Sequence, residues 1–140
     1  LNTKKIREQL KRHEGCVLHA YKDHLGYTTI GVGRLIDSRR GGGISEAEAD
    51  MLLSNDIARV IAGIEQKIDF LHRLPESVQE ALVNMGFQLG VSGLAGFKNM
   101  LAALREHDWD RAADEALDSR WAEQTPRRAQ EVANMIREAE

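Results

Sequence analysis

The chain has 140 residues, 42% hydrophobic and 29% charged, as expected of a soluble globular protein of one domain or two small lobes sharing a core. Its net charge of −3 gives no support to nucleic-acid binding through a globally basic surface, although Arg39-Arg40 and Arg127-Arg128 are adjacent basic pairs. The single cysteine, Cys16, cannot form an internal disulfide and reads as a small buried hydrophobe, and no apolar run is long enough to span a membrane.

The chain starts at Leu1 rather than Met, and no signal peptide is read in its first residues. Residues 3–12 predict a helix, with Thr3 as its cap and Ile6 and Leu10 as a short apolar stripe. Gly15 is the stop signal, so Glu14 falls near a helix C-terminus. The partial negative charge at such an end favours a carboxyl that keeps its proton. Residues 17–36 are the β region. Val17, His19 and Tyr21 alternate against Leu18 and Ala20, and the return strand runs from Tyr27 to Ile30. Between them Lys22-Asp23-His24-Leu25-Gly26 reads as a hairpin turn, with glycine taking the unusual backbone angle. Gly31 and Gly33 leave room for a sharp bend or a close backbone approach. Gly31-Val32-Gly33-Arg34 is no phosphate loop, because no Lys-Ser/Thr pair follows.

Arg39-Arg40-Gly41-Gly42-Gly43 reads as a flexible surface loop. Ser45 and Glu48 have the spacing of a capping box and open a helix from 46 to about 66, long enough to bridge two lobes. A further helix follows Pro75, carries Val78, Ala81, Leu82, Met85 and Leu89, and stops at Gly90. Met100, Leu101 and Leu104 mark the next one. Asp108 caps another that starts at Trp109 and carries Ala112, Ala113 and Ala116. Thr125-Pro126 starts the last, whose apolar face is Ala129, Val132, Ala133 and Ile136.

Three residues of this chain share one chemistry. Glu14 and Asp23 have eight residues between them, and Asp23 and Thr29 have five. Two carboxylates and a hydroxyl are the minimum set for cleaving a glycosidic bond by general acid and general base. Each alone has a plainer reading: Glu14 as a solvated carboxylate at a helix end, Asp23 as a turn residue, Thr29 as a strand residue.

Taken together, in the setting of Tyr27-Thr28-Thr29-Ile30-Gly31-Val32-Gly33, they resemble the active-site segment of the T4-type phage lysozymes, glycoside hydrolase family 24, whose pattern is Glu, eight residues, Asp or Cys, five residues, Thr. The resemblance extends through Asn84-Met85-Gly86-Phe87-Gln88-Leu89-Gly90, Gly93-Leu94-Ala95-Gly96-Phe97, Trp109-Asp110 and the stretch from Ser119 to Ala129. It implies an α+β, mainly α-helical, two-lobe lysozyme-like fold with a cleft for a sugar chain. Residues 13–65 would form the small β-containing lobe and the linking helix. Residues 66–140 would form the helical lobe, with the N-terminal helix 1–12 packed on it.

The resemblance also implies the chemistry. Glu14, Asp23 and Thr29 would be catalytic; Leu35, Phe87 and Gln88 would bind substrate; Arg128 would support Glu14 as a charge partner. Phe87 and Trp121 have core packing as the alternative reading. Where many relatives carry His after Gly-x-Gly, this chain carries Arg34, which would pair with Asp56 on the long helix. The implied reaction is that of an endolysin: inverting hydrolysis of the β-1,4 bond between N-acetylmuramic acid and N-acetylglucosamine in bacterial peptidoglycan, leading to host-cell lysis. The protein would be made in the bacterial cytoplasm and act on the wall as a monomer. It would use no metal or cofactor and have no nucleic-acid partner and no stable membrane association. A lytic transglycosylase, which cuts the same bond without water, and a non-catalytic cell-wall-binding module are the alternatives. The presence of Asp23 and Thr29 favours hydrolysis.

Overall fold

The computed structural model describes residues 1–139. Helix α1 (Thr3–Glu14) leads into strands β1 (Val17–Lys22), β2 (Thr28–Gly31) and β3 (Arg34–Leu35), then α2 (Glu46–Lys67), α3 (Glu76–Ala95), α4 (Lys98–Arg105), α5 (Trp109–Leu117), α6 (Arg120–Gln124) and α7 (Pro126–Arg137). Single 3-10 turns occupy Ser38–Arg40 and Leu71–Arg73. The class is α+β and mainly helical, as the resemblance implied. The chain divides into two compact units, Leu1–Met51 and Leu52–Glu140.

In the first unit the cap of α1 is Asn2, one residue before the expected Thr3: its Oδ1 accepts the Lys5 N–H at 3.0 Å. The helix runs on to Glu14. Gly15, at φ 79°, ends it and donates its N–H to the Lys11 carbonyl at 2.9 Å. The sheet is antiparallel with order β1-β2-β3. The expected hairpin forms, with Gly26 at φ 86° and its N–H on the Asp23 carbonyl at 2.9 Å. The register slips between Val17 and Tyr21. The expected alternation breaks there, since His19 is exposed along with Leu18 and Ala20.

The Arg39–Gly43 segment departs from the flexible loop expected of it. Asp37, 7% exposed, accepts the Arg39 backbone N–H and Nε at 2.9 Å each and forms an ion pair with Arg39 Nη2. The Gly43 N–H reaches back to the Leu35 carbonyl at 3.0 Å, and a side chain at Gly42 would meet that carbonyl at 2.7 Å. These bonds tie the segment to β3. The capping box is present: Glu48 N–H donates to Ser45 Oγ at 3.1 Å and Ser45 N–H to Glu48 Oε1 at 2.9 Å. Cys16 is exposed, not buried, because it lies just past the α1 stop in a unit without an apolar core. The only buried residues of this unit are Thr29 and Asp37.

The second unit holds the apolar core, from Ile64 and Ile68 through Leu82, Met85 and Leu94 to Val132 and Ile136. Gly86 lets α3 approach α2 closely: a Cβ there would meet Val60 and Ile64 at 3.1 and 3.2 Å. Pro75 immediately precedes α3, and Gly90 (φ 78°, ψ 157°) breaks the helix where a stop was expected, after which it continues to Ala95. Asp108 caps α5 through the Arg111 N–H at 3.2 Å. Helix α6 was not foreseen. Ser119 starts it by accepting the Ala122 N–H at 3.1 Å, while its hydroxyl donates to the Ala116 carbonyl at 2.7 Å. The Thr125 hydroxyl donates to the Trp121 carbonyl at 2.9 Å rather than capping α7, which starts on Pro126. Trp121 is core, 4% exposed, edge-to-face with Phe97 at 6.0 Å. Phe87 is not core, at 43% exposed.

Candidate active site

The hairpin between β1 and β2 orders two of the three expected catalytic residues through the backbone of one residue. Tyr27 donates its N–H to Asp23 Oδ1 at 2.9 Å. Its carbonyl accepts the Asp23 N–H at 2.9 Å and the Thr29 hydroxyl at 3.0 Å. Leu25 N–H also donates to Asp23 Oδ1 at 2.9 Å. Among the described residues both side-chain bonds of Asp23 end on Oδ1, so Oδ2 is left for another partner. The Thr29 hydroxyl spends its one proton on Tyr27, and its two lone pairs can accept hydrogen bonds. Thr29 is 3% exposed and Asp23 half-buried. The short turn demands this arrangement, because an Asp that bonds the backbone two residues on stabilises a tight reversal.

Glu14, the last residue of α1, is exposed and lies along Gly33 in the bend between β2 and β3. Leu35 is half-buried on β3 and pairs with Thr29 across the sheet. The first unit thus carries Glu14, Asp23, Thr29 and Leu35. In the second unit Arg128 is half-buried and held by Asn84: Nε donates to Asn84 Oδ1 at 2.9 Å and Nη2 to its carbonyl at 3.2 Å. Gln88 is exposed and accepts the Trp121 indole N–H at 2.8 Å. Phe87 and Arg128 line an apolar concavity of about 560 Å³ with Ile57, Leu71 and Val83.

The expected pair of Arg34 with Asp56 is replaced. Arg34 grips Glu48 through both terminal guanidinium nitrogens, at 3.1 and 2.8 Å, and donates to the Gly43 carbonyl at 3.0 Å. Asp56 pairs with Arg59, one helical turn on. A planar guanidinium suits a two-point grip on a carboxylate that its own helix start already fixes in place. The Glu48 carboxyl is held below its ordinary value, first by the Ser45 backbone N–H and then by Arg34.

Sequence reasoning missed Asp37 and Tyr27. The Arg39 side chain, followed by its backbone N–H, holds the Asp37 carboxyl well below the usual carboxylate range. The Tyr27 ring lies under the Arg40 guanidinium at 4.3 Å. Asp37-Ser-Arg39 has the spacing of an Asx turn, the one signal that could have found the first. Among the described residues, no group of three or more His, Cys, Asp or Glu side chains is placed to hold a metal ion. No helix among them is long and apolar enough to cross a membrane.

A mainly helical α+β chain with an acid at the end of its first helix and a carboxylate–hydroxyl hairpin in its small sheet is lysozyme-like in these elements. Residues 11–140 match the family model described as phage lysozyme. The chain is 31% identical to "Probable T4-type lysozyme 1" of Dictyostelium discoideum, over 94% of its own length and 92% of the relative's. It is 34% identical to "Pre-baseplate central spike protein Gp5" of Enterobacteria phage T4 over 94% of its own length, but spans 27% of that protein. It is 34% identical to "Endolysin" of Salmonella phage P22 over 76% of its own length and 74% of the relative's. The chain belongs to the phage lysozyme family and is a lysozyme-type hydrolase.

Proposed function

We propose that this protein hydrolyses the β-1,4 bond between N-acetylmuramic acid and N-acetylglucosamine in bacterial peptidoglycan, with inversion at the anomeric carbon. The observation that supports this reading is that the Asp23 carboxylate and the Thr29 hydroxyl both bond the backbone of Tyr27, each with acceptor capacity to spare. Glu14 protonates the leaving oxygen. Asp23 and Thr29 hold a water on the opposite face of the sugar, and Asp23 takes its proton as it attacks. An inverting pair needs room for that water, about 6.5–9.5 Å between carboxyls. The proposal includes Leu35, Phe87 and Gln88 as residues that line the glycan strand and Arg128 as a support for Glu14. As an endolysin-type enzyme it would meet the wall from the periplasmic side after release.

Digestion of purified cell walls, with mass spectrometry of the fragments, tests the reading. Reducing ends are expected. 1,6-Anhydro ends would make the protein a lytic transglycosylase, and no cleavage would make it a binding module. An α-anomer as the first-formed product supports inversion, and a β-anomer overturns it.

A further inference from the structure

We propose that Gly33 is the positioning residue of Glu14, and that its missing side chain is what lets the acid reach its working place. The inference rests on the reading of Glu14 as general acid. A Cβ built on Gly33 would stand 2.7 Å from Glu14 Oε2, 3.0 Å from Cδ and 3.2 Å from Cγ. The end of the Glu14 side chain from Cγ outward therefore lies along the bare Cα of the β2–β3 bend. Any side chain at position 33 competes with the carboxyl for that space. Glu14 is exposed and its long side chain can turn about its single bonds, so it would be the group that moves, rather than the backbone of the bend. The fold would survive the substitution, but the acid would be displaced. Misplacement by about 1 Å can cost on the order of 10²-fold in rate.

Gly33 also sits at φ +65°, where a residue with a Cβ is strained whatever surrounds it. Gly31, two residues earlier, separates the two effects. It has nearly the same backbone angle, φ +70°, and nothing within 4 Å of where its Cβ would be. Gly31→Ala therefore brings the backbone strain without touching Glu14, whereas Gly33→Ala brings both.

The test compares Gly31→Ala, Gly33→Ala, Glu14→Gln and the double variant on a soluble peptidoglycan oligosaccharide. The two glycine variants are expected to lose similar amounts of Tm. Gly33→Ala should lower kcat by about 10²-fold with KM little changed, while Gly31→Ala keeps both near the parent values. Adding Gly33→Ala to Glu14→Gln should cost no further rate, because both act on one group. Asn takes positive φ more readily than Ala, so Gly33→Asn should lose as much activity with a smaller fall in Tm; it serves where Gly33→Ala folds poorly. If Gly33→Ala turns over as fast as Gly31→Ala, or slows Glu14→Gln by the same factor as it slows the parent, Gly33 does not act through Glu14. If Glu14→Gln itself clears walls at the parent rate, the assignment of the acid falls, a result distinct from an inactive Glu14→Gln beside a fully active Gly33→Ala.

Discussion

Tyr27 lends the proposed chemistry no side-chain group, yet its backbone N–H and carbonyl bond both groups proposed to hold the water. This division sets what each substitution should do. Glu14→Gln keeps the shape of the side chain but delivers no proton, and should lower wall lysis by ~10²–10⁴-fold with the fold intact. Since catalytic groups are seldom there for stability, its Tm should equal or exceed the parent's. Turbidity assays on purified variant and a thermal melt check both halves. Asp23→Asn should also be damaging, with more residual activity, because an amide can hold water without taking its proton. Its carbonyl can still accept from Leu25 and Tyr27 if the amide orients that way, so the hairpin should persist. Thr29→Val removes a buried donor whose acceptor, the Tyr27 carbonyl, retains the Asp23 N–H. A loss of about 0.5–1.5 kcal/mol is expected, read from denaturant unfolding, together with a fall in rate at unchanged substrate affinity.

Asp37 belongs to the same scale and responds to pH. Its carboxyl is held below its ordinary value of 3.8, chiefly by the Arg39 side chain. A carboxylate with a depressed folded pKa contributes stability that is fully present above the unfolded value. That contribution is lost as pH falls from there through the folded value. The parent should therefore lose Tm on acidification below about pH 3.8 more steeply than Asp37→Asn. Identical acid melting profiles for the two would remove Asp37 as a structural anion.

At the scale of elements, α2 shows how one helix start serves two purposes. Glu48 closes the capping box on Ser45 and also receives Arg34 from the end of the sheet, so the helix start and β3 are joined by one carboxylate. Ser45→Ala removes the bond from Glu48 N–H but leaves the Ser45 N–H on Glu48, and should cost about 1 kcal/mol. Glu48→Ala removes both halves of the box and leaves Arg34 without its carboxylate, and should cost more. Urea titrations of the two variants rank them; the reverse order would refute the shared role of Glu48.

At the scale of the whole molecule, the two units differ in what holds them. The core residues all lie in the second, whereas the buried side chains of the first are Thr29 and Asp37. A unit of some fifty residues has little interior, and this one is organised by backbone turns, caps and ion pairs. Leu82, fully buried, should cost about 2–5 kcal/mol when replaced by alanine. Hydrogen exchange should find the amides of β1, β2 and β3 opening more readily than those of α5 and α7, because few buried apolar contacts protect them. Equal protection in both sets would contradict this.

Several local features were legible because cause and effect lie within one turn, although the Ser119 cap and the Asp37–Arg39 turn, equally local, were not read. The Ser45–Glu48 box, the Asp108 cap, Pro126 at the start of α7 and Gly26 in the hairpin each act over four residues or fewer, so the order of the chain already places donor beside acceptor. The family pattern of Glu14, Asp23 and Thr29 was equally visible, because it is a pattern of spacing. Asn2 displaced Thr3 as a cap because both residues can serve and only the backbone angle at the first turn selects between them. Tertiary structure alone decided that Arg34 meets Glu48, fourteen residues on, that Arg128 rests on Asn84, forty-four residues back, and that Trp121 reaches Gln88. It also decided that Glu14 lies along Gly33. For such pairs several partners of the right charge or size exist in the chain. The choice among them is made by which backbones the fold brings within reach, a distance that residue spacing does not encode.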